Sequence, residues 1–376
     1  MFKKLGLLLS VATILLTPSN SFALDQIIRP YQTVRSAGMG GVRITTGEYE
    51  ENFNSNPARV AANPVWRITL LDLSLETSTA TINHMNDLSK AKSDNLQPIA
   101  ETVGDNLHAR IQTAMPGFYS PNPDGKIAWA FALLTSTQID IIARRNYSID
   151  PTTIIDVGPT FSLARRYLPE NALVVGFNTH LAYRAANRRG YSLADVIQGT
   201  SFSPSKNGDN GAMIDFDLGG TYDFNHWTPH GIHFHTALTI NNLLDGQYKN
   251  LSFHPIKSAG TTPRTQPRSI GVGLSATKEE VSLVFTKLSH LMAALEFTDI
   301  GNNKNGSLFR TIHIGAEARW KALRPRIGLY QGYPAAGLGL DFKILSLDLA
   351  TYGEEMSLNT GGKEDRRVAL RLAFHI

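Results

Sequence analysis

Apolar and polar positions alternate along most of this chain with a period of two. The C-terminal segment shows this most cleanly. Val368, Leu370, Leu372, Phe374 and Ile376 are apolar, and Arg367, Ala369, Arg371, Ala373 and His375 between them are small or charged. Successive side chains of a strand point to opposite faces, so one face of this segment is apolar and the other polar, up to the terminal carboxylate. A chain end frays unless something ties it down. A closing strand with lipid on one face and a polar lumen on the other is the last element of an outer-membrane β-barrel.

The alternation recurs upstream. Leu71, Leu73 and Leu75 alternate with Asp72, Ser74 and Glu76, and Trp129, Phe131 and Leu133 with Ala128, Ala130 and Ala132. Ile214, Phe216 and Leu218 alternate with Asp215 and Asp217, and Leu338, Leu340 and Phe342 with Gly337, Gly339 and Asp341. Counting such segments predicts an all-β fold, a transmembrane antiparallel β-barrel of about fourteen strands. The expected spans are 66–76, 107–119, 126–137, 154–167, 173–185, 213–224 and 232–243, then 267–276, 290–300, 308–320, 324–332, 335–343, 345–352 and 366–376. An even count puts both termini on the periplasmic side. The long connections 77–106, 186–212 and 244–266 then face outward, and the links 120–125, 168–172 and 321–323 are short periplasmic turns. The outer link at Tyr333 and Pro334 is very short and breaks the pattern. Two stretches read as helical. Ile99, Val103 and Leu107 fall at helical spacing in 98–107, and Val281, Val284, Phe285 and Leu288 form one stripe in 279–288.

The start of the chain bears on the compartment. Lys3 and Lys4 precede an apolar stretch over 5–16, and Ser21-Phe22-Ala23 supplies small residues for cleavage. Residues 1–23 therefore read as a secretory signal peptide, too short to span a bilayer. Its removal takes the net charge from +4 to about +2, which excludes the strongly basic footprint of a nucleic-acid binder. The chain has no cysteine, so disulfides and thiolate metal sites are excluded. No run of eighteen apolar residues follows Ala23, so a transmembrane helix is not expected. A soluble periplasmic or secreted β protein fits these bulk properties as well.

Residues 24–64 do not alternate. They contain Arg35-Ser36-Ala37-Gly38-Met39-Gly40-Gly41, then Glu48, Glu50 and Glu51, and close on Asn54-Ser55-Asn56-Pro57-Ala58. Pro57 suits the first position of a short helix through Val60. The economical place for such a segment ahead of a barrel is inside it, as a plug. The expected organisation is a signal peptide at 1–23, an N-terminal hatch at 24–64 and the barrel at 65–376.

The Gly38-Met39-Gly40-Gly41 segment with Asn56-Pro57-Ala58 resembles the hatch of the FadL type, outer-membrane transporters of long-chain fatty acids and other hydrophobic compounds. Gly315-Ala316-Glu317, Arg326-Ile327-Gly328, Ala336-Gly337-Leu338-Gly339 and Asp348-Leu349-Ala350-Thr351-Tyr352 resemble the closing strands of that superfamily. They are closer to its PorV/PorQ-like and TraF-like branches. The resemblance implies a fourteen-stranded barrel in the outer membrane of a Gram-negative (diderm) bacterium, with the N-terminus plugging the lumen. It implies passive passage of a hydrophobic ligand, with Gly38, Gly40, Gly41, Asn56, Pro57 and Ala58 as hatch or gating residues. The alternative it implies is a non-transporting PorV-like barrel that anchors or shuttles a surface or secretion-system protein. The chain departs from the family in ending on Ile376 rather than an aromatic residue, with Phe374 nearest, and no residue maps onto the family's fatty-acid pocket.

Candidate chemistry lies on the inward parity. Asp215, Asp217 and Asp223 share one face of a strand, and the preceding strand turns His180 and Arg184 to the same lumen, where opposite charges pair across strands. Glu317 completes this expected polar network. His226, His230, His233 and His235 cluster in sequence, and His233 and His235 share a face at a spacing that suits a metal. They read more simply as residues of a turn and lumen wall, so neither a metal nor another cofactor is expected. Arg184, Arg188 and Arg189, with Arg144 and Arg145, read as outer-loop cations that contact lipopolysaccharide phosphates or are plain solvated charge. Trp66, Tyr167, Tyr183, Phe224 and Trp320 fall near strand ends and suit aromatic girdles in the outer-membrane lipid. No G-x-S-x-G elbow, Walker loop or H-E-x-x-H occurs, so no enzyme is expected.

Overall fold

The computed structural model describes residues 31–89, 102–121, 127–144, 148–167, 172–187, 190–192, 194, 208–224, 226–250, 261–282, 287–301, 308–357 and 361–376. The expected signal peptide lies outside these residues, as do Arg145, Arg188 and Arg189. Among the described residues fifteen strands form one sheet. They are β1 (Arg67–Ser78), β2 (Asn106–Ser120), β3 (Ile127–Ala143), β4 (Ser148–Tyr167), β5 (Leu173–Asn187), β6 (Tyr191–Ser192), β7 (Asp209–Asp223) and β8 (Ile232–Asn241). The rest are β9 (Ser269–Ser282), β10 (Lys287–Phe297), β11 (Ile312–Arg319), β12 (Leu323–Tyr330), β13 (Tyr333–Asp341), β14 (Leu345–Glu355) and β15 (Glu364–His375). The two-residue β6 only adds to the edge of β4. The other fourteen close a barrel, each antiparallel to its neighbours, with β15 returning to β1.

The seam follows from the two-faced closing strand. Leu71, Leu73 and Leu75 stand opposite Phe374, Leu372 and Leu370, and Asp72, Ser74 and Glu76 opposite Ala373, Arg371 and Ala369. Beyond the last ladder pair, Ile68 and Ile376 exchange backbone hydrogen bonds of 2.8 and 3.0 Å. The chain end is tied down without a terminal aromatic residue.

Parity sorts the wall. Arg367, Arg371 and His375 are buried toward the lumen, whereas Leu370, Leu372 and Phe374 are exposed on the outside. Ile214, Leu238, Leu274, Leu291, Leu338 and Leu349 extend this outer apolar surface around the barrel. A monomer in water does not present a contiguous apolar belt of this extent around a charged interior. The arrangement is that of a membrane barrel, with lipid outside. Among the described residues no helix is long and apolar enough to cross a membrane.

Trp66, Tyr167, Phe224 and Trp320 are exposed at the rim that carries the short links, while Tyr183 is only half exposed and sits further along β5. Between β12 and β13 the link is Gln331-Gly332, both with positive φ (51° and 89°). Two such residues make the tight hairpin that matches strand twist, which explains the very short outer connection.

The structure corrects both helical expectations. Residues through Ser282 belong to β9 and those from Lys287 to β10, and Val281 stands across the hairpin from Leu288. Val281 and Leu288 therefore belong to two facing strands, and Val284 and Phe285 lie outside the described residues. In the first outer connection 98–101 lie outside the described residues, 102–104 form a turn, and Leu107 is already in β2.

Candidate functional site

The lumen is filled by residues 31–63, nearly all of which are buried. Thr33 caps a short helix, Val34–Gly38, by accepting from the Ser36 N–H, and the Met39 N–H closes its far end on Arg35 and Ser36 carbonyls. Gly40 and Gly41 then turn the chain at φ +69° and +90°, where a side chain would be strained. This turn presses against glycines of the closing strands. A Cβ on Gly38 would lie 2.9 Å from the Gly337 Cα, one on Gly328 2.5 Å from the Gly40 nitrogen, and one on Gly315 2.8 Å from a Val42 methyl. The two ends of the chain that carry the family resemblance are thus halves of one contact.

Further along, Glu296 on β10 accepts the backbone N–H groups of Arg43, Ile44 and Thr45 at 2.7, 2.9 and 2.8 Å. The Asn178 amide donates to the carbonyls of Asn52 (3.1 Å) and Phe53 (2.9 Å). Asn56 caps the 3-10 helix Pro57–Ala62 through the Ala58 N–H, with Pro57 at its first position as the sequence suggests. A Cβ on Gly176 would meet the Ala58 Cα at 2.7 Å, and one on Gly219 the Pro57 ring at 2.8 Å. All six expected hatch residues therefore face the wall.

A chain of ion pairs crosses from plug to wall on one side. Arg35 pairs with Glu51 of the plug (2.7 Å) and with Glu317 of β11 (2.9 Å). Glu317 passes to Arg326 (2.7 Å), Arg326 to Asp348 (2.6 Å), and Asp348 to Arg371 (3.2 Å). Arg371 closes on Asp72 (3.0 Å) and returns to the plug at Glu50 (2.8 Å). Arg319 and Arg324 both pair with Glu48. Burial works against the Arg35 cation, but Glu317, Glu51 and Glu48 outweigh it and hold its pKa well above the usual value. Burial likewise opposes the Glu48 carboxylate, and Arg35, Arg319 and Arg324 overcome it and hold that pKa well below the usual range. For Glu50, burial prevails over Arg371, and Asp72 adds to it, so its carboxyl is pushed up to about 7.

The opposite side of the plug is mostly apolar. Tyr49, Phe53, Val60 and Ala61 pack on Tyr119, Ala128, Ala130, Ala132, Ala164 and Val174 of β2–β5. Tyr119 meets Tyr49 edge-on at 5.5 Å between ring centroids and Phe53 at 5.8 Å. The inward alanines of β3 leave the space that these rings fill.

The residues expected to form a lumen network separate into several places. Glu317 is the hub described above. His180 pairs with Asp217 at 2.5 Å and also bonds Thr160. Asp217 accepts the Asn242 N–H, and Asp215 the N–H groups of Leu244 and Gly246, so both aspartates hold the turn after β8. Arg184 does not rise into an outer loop. It is buried, pairs with Asp156 at 2.6 Å and lies over the Tyr248 ring. Asp223 bonds His235 at the short-link rim, and His235 also contacts Thr277. No group of three or more metal-ligating side chains occurs among the described residues. Arg144 is exposed and paired with Asp150. The sequence reading missed Arg35, Glu50, Glu51, Asp72, Glu296, Arg326 and Asp348 as participants. The wall members among them all carry charge on inward parity, and that signal was available.

With this geometry in hand, comparison with solved structures is informative. A structure described as the TodX deltaS2S3 mutant monoaromatic hydrocarbon channel aligns over 92% of this chain and 97% of its own, at TM-score 0.50 and 11% identity. The chain has the fold of the FadL-type barrels. The Ralstonia pickettii toluene transporter TbuX covers 90% of this chain and 96% of its own at TM-score 0.49 and 11% identity. The P. putida toluene transporter TodX does so over 90% and 96% at TM-score 0.43 and 11% identity. No family model and no curated protein matches the sequence.

Proposed function

We propose that this protein is an outer-membrane barrel that passes hydrophobic small molecules passively through its plugged lumen. One observation carries the reading. The largest apolar cluster between plug and wall among the described residues lies toward β2–β5, away from the chain of ion pairs, while Asn178 donates to two plug carbonyls there and smaller apolar clusters pack Val34, Ala37, Met39 and Val42 on the other strands. Water and ions gain nothing by entering that largest cluster, whereas an apolar solute does. The charged side holds the plug in register, and the apolar side yields to the solute. The neighbours described as hydrocarbon channel and toluene transporters agree with this class of cargo. The apolar outer belt and the expected signal peptide suit the outer membrane.

Uptake of labelled toluene and of a labelled long-chain fatty acid tests the reading in cells lacking the gene and in cells carrying it on a plasmid. Faster uptake of at least one compound with the plasmid supports transport. Unchanged uptake of both, with a stoichiometric protein partner co-purifying, moves the assignment to a non-transporting anchor.

A further inference from the structure

Asn178 grips the plug at the edge of its largest apolar cluster, because one of its two plug partners is the carbonyl of Phe53, a member of that cluster. Its side chain is fully buried. In register it lies between Ser162 of β4 and Asp217 of β7, and all three face the lumen. Asn178 Oδ1 accepts from Ser162 Oγ, which fixes the amide's orientation. Nδ2 then meets three acceptors. Two are the plug carbonyls of Asn52 (3.1 Å) and Phe53 (2.9 Å), and the third is Asp217 Oδ2 at 3.2 Å.

An amide nitrogen carries only two hydrogens. Three acceptors share them, so the plug competes with Asp217 for Asn178. The wall holds the Asp217 carboxylate in place. Its Oδ2 bonds His180 at 2.5 Å, and its Oδ1 accepts the Asn242 N–H at 2.9 Å. A bond to a charged acceptor is stronger than one to a neutral carbonyl. A buried donor left without any acceptor costs its full desolvation penalty.

We propose that Asn178 is a two-position latch. It donates to the carbonyls of Asn52 and Phe53 when the plug is docked, and to Asp217 when this part of the plug leaves the wall. Asp217 takes up a freed hydrogen, so undocking does not strand the buried amide. The latch rests on the transport reading for its purpose, since a plug that yields on this side needs a release of low cost.

The chain has no cysteine, so Ser55→Cys is a reporter without background. Ser55 is buried, and its carbonyl accepts from Asn241 Nδ2 at 3.1 Å. The maleimide labelling rate of this variant, measured on the purified full chain in detergent, reads how often this part of the plug leaves the wall. Adding Asn178→Ala removes both plug bonds and should speed labelling about tenfold. Adding Asp217→Asn keeps an oxygen for the Asn242 N–H but takes the charged acceptor from Asn178. It should slow labelling about threefold. A residue that only supports the fold would speed labelling when altered, so the slowing is the signature. With Asn178→Ala already present, Asp217→Asn should change nothing. Heat-shifted gel mobility confirms that each variant folds, and Asp217→Ser replaces Asp217→Asn if the latter does not. Faster or unchanged labelling in the Asp217 variant overturns the latch, as does an Asp217 effect that persists without the Asn178 amide. Toluene uptake by cells keeps the two proposals apart. Uptake that depends on the protein, without the opposite labelling shifts, removes the latch and leaves transport standing. Opposite shifts with uptake that does not depend on the protein leave the latch standing and remove transport.

Discussion

The plug meets the barrel on two sides built from different physics. Toward β11–β15 and β1 it is held by charge and by backbone-to-backbone contact, through Arg35, Glu48, Glu50 and the Gly38 to Gly41 turn, with a smaller apolar cluster around Val34 and Ala37. Toward β2–β5 it is held mainly by rings, alanines and valines, with Asn178 and Arg166 donating to plug carbonyls. The first kind of contact is directional, and breaking one member strands a buried charge. The second is non-directional, and a solute of similar polarity replaces it at small cost. The comparison teaches that a plug need not be bound evenly to close a lumen. It is fixed where displacement is expensive and displaceable where the cargo resembles the contact.

Four changes break or sharpen this contrast. Deleting residues 31–64 has the largest effect, because it leaves a lumen lined by charged side chains. Ion conductance in planar bilayers should rise by roughly tenfold or more, toward that of a water-filled barrel. An unchanged conductance contradicts the plugged lumen. Next, Arg35→Met leaves Glu317 and Glu51 short of a partner and should cost about 3–5 kcal/mol in urea unfolding. The double variant with Glu317→Leu should recover part of that loss, and a neutral single variant contradicts the anchoring role. Gly328→Val, which drives a side chain into the Gly40 turn, should cost about 1–3 kcal/mol. Gly220→Val makes a matched control, since the nearest atom to its Cβ is 3.7 Å away.

The smallest effect is on pH dependence. Glu50 has a folded-state pKa of about 7 against an ordinary 4.5, so the folded protein binds more protons between those values. The stability Glu50 contributes is full below about pH 4.5 and is lost as pH rises through about 7. Urea midpoints measured across this window should fall with rising pH, and Glu50→Gln should flatten the slope.

Much of the fold was legible in the chain itself. Parity alone placed Arg367, Arg371 and His375 inside and paired the last strand with the one after Trp66, because a one-residue slip would put charge into lipid. Residues 31–63, which lie buried within the barrel wall, stand out in the chain as a stretch with glycines and no alternation. The ion-pair chain was not, because Arg35 and Glu317 lie 282 residues apart and only the closed register brings them together. The segment around Val281 misled for the opposite reason. Short apolar runs carry no unique period, and Val281 and Leu288, on two paired strands, fall at a helical spacing there. Arg184 was read both as a lumen residue and as a loop cation, and the structure keeps the first, which its shared parity with His180 indicates.

One measurement tests the asymmetry most directly. The chain has no cysteine, so two engineered pairs are read without background. Ala58→Cys with Ala164→Cys bridges the apolar side, where Ala164 stands opposite Gly176 and Ala58 sits on Gly176. Ala37→Cys with Ala350→Cys bridges the side that also carries the ion pairs, where both residues belong to the smaller apolar cluster with Val34, Tyr330 and Tyr352. Each pair is closed by oxidation or a short bifunctional thiol reagent, and labelled toluene uptake is followed. The account predicts that closing the Ala58–Ala164 pair abolishes uptake and closing the Ala37–Ala350 pair preserves it. Preserved uptake with the apolar side locked, or lost uptake with only the charged side locked, would contradict it.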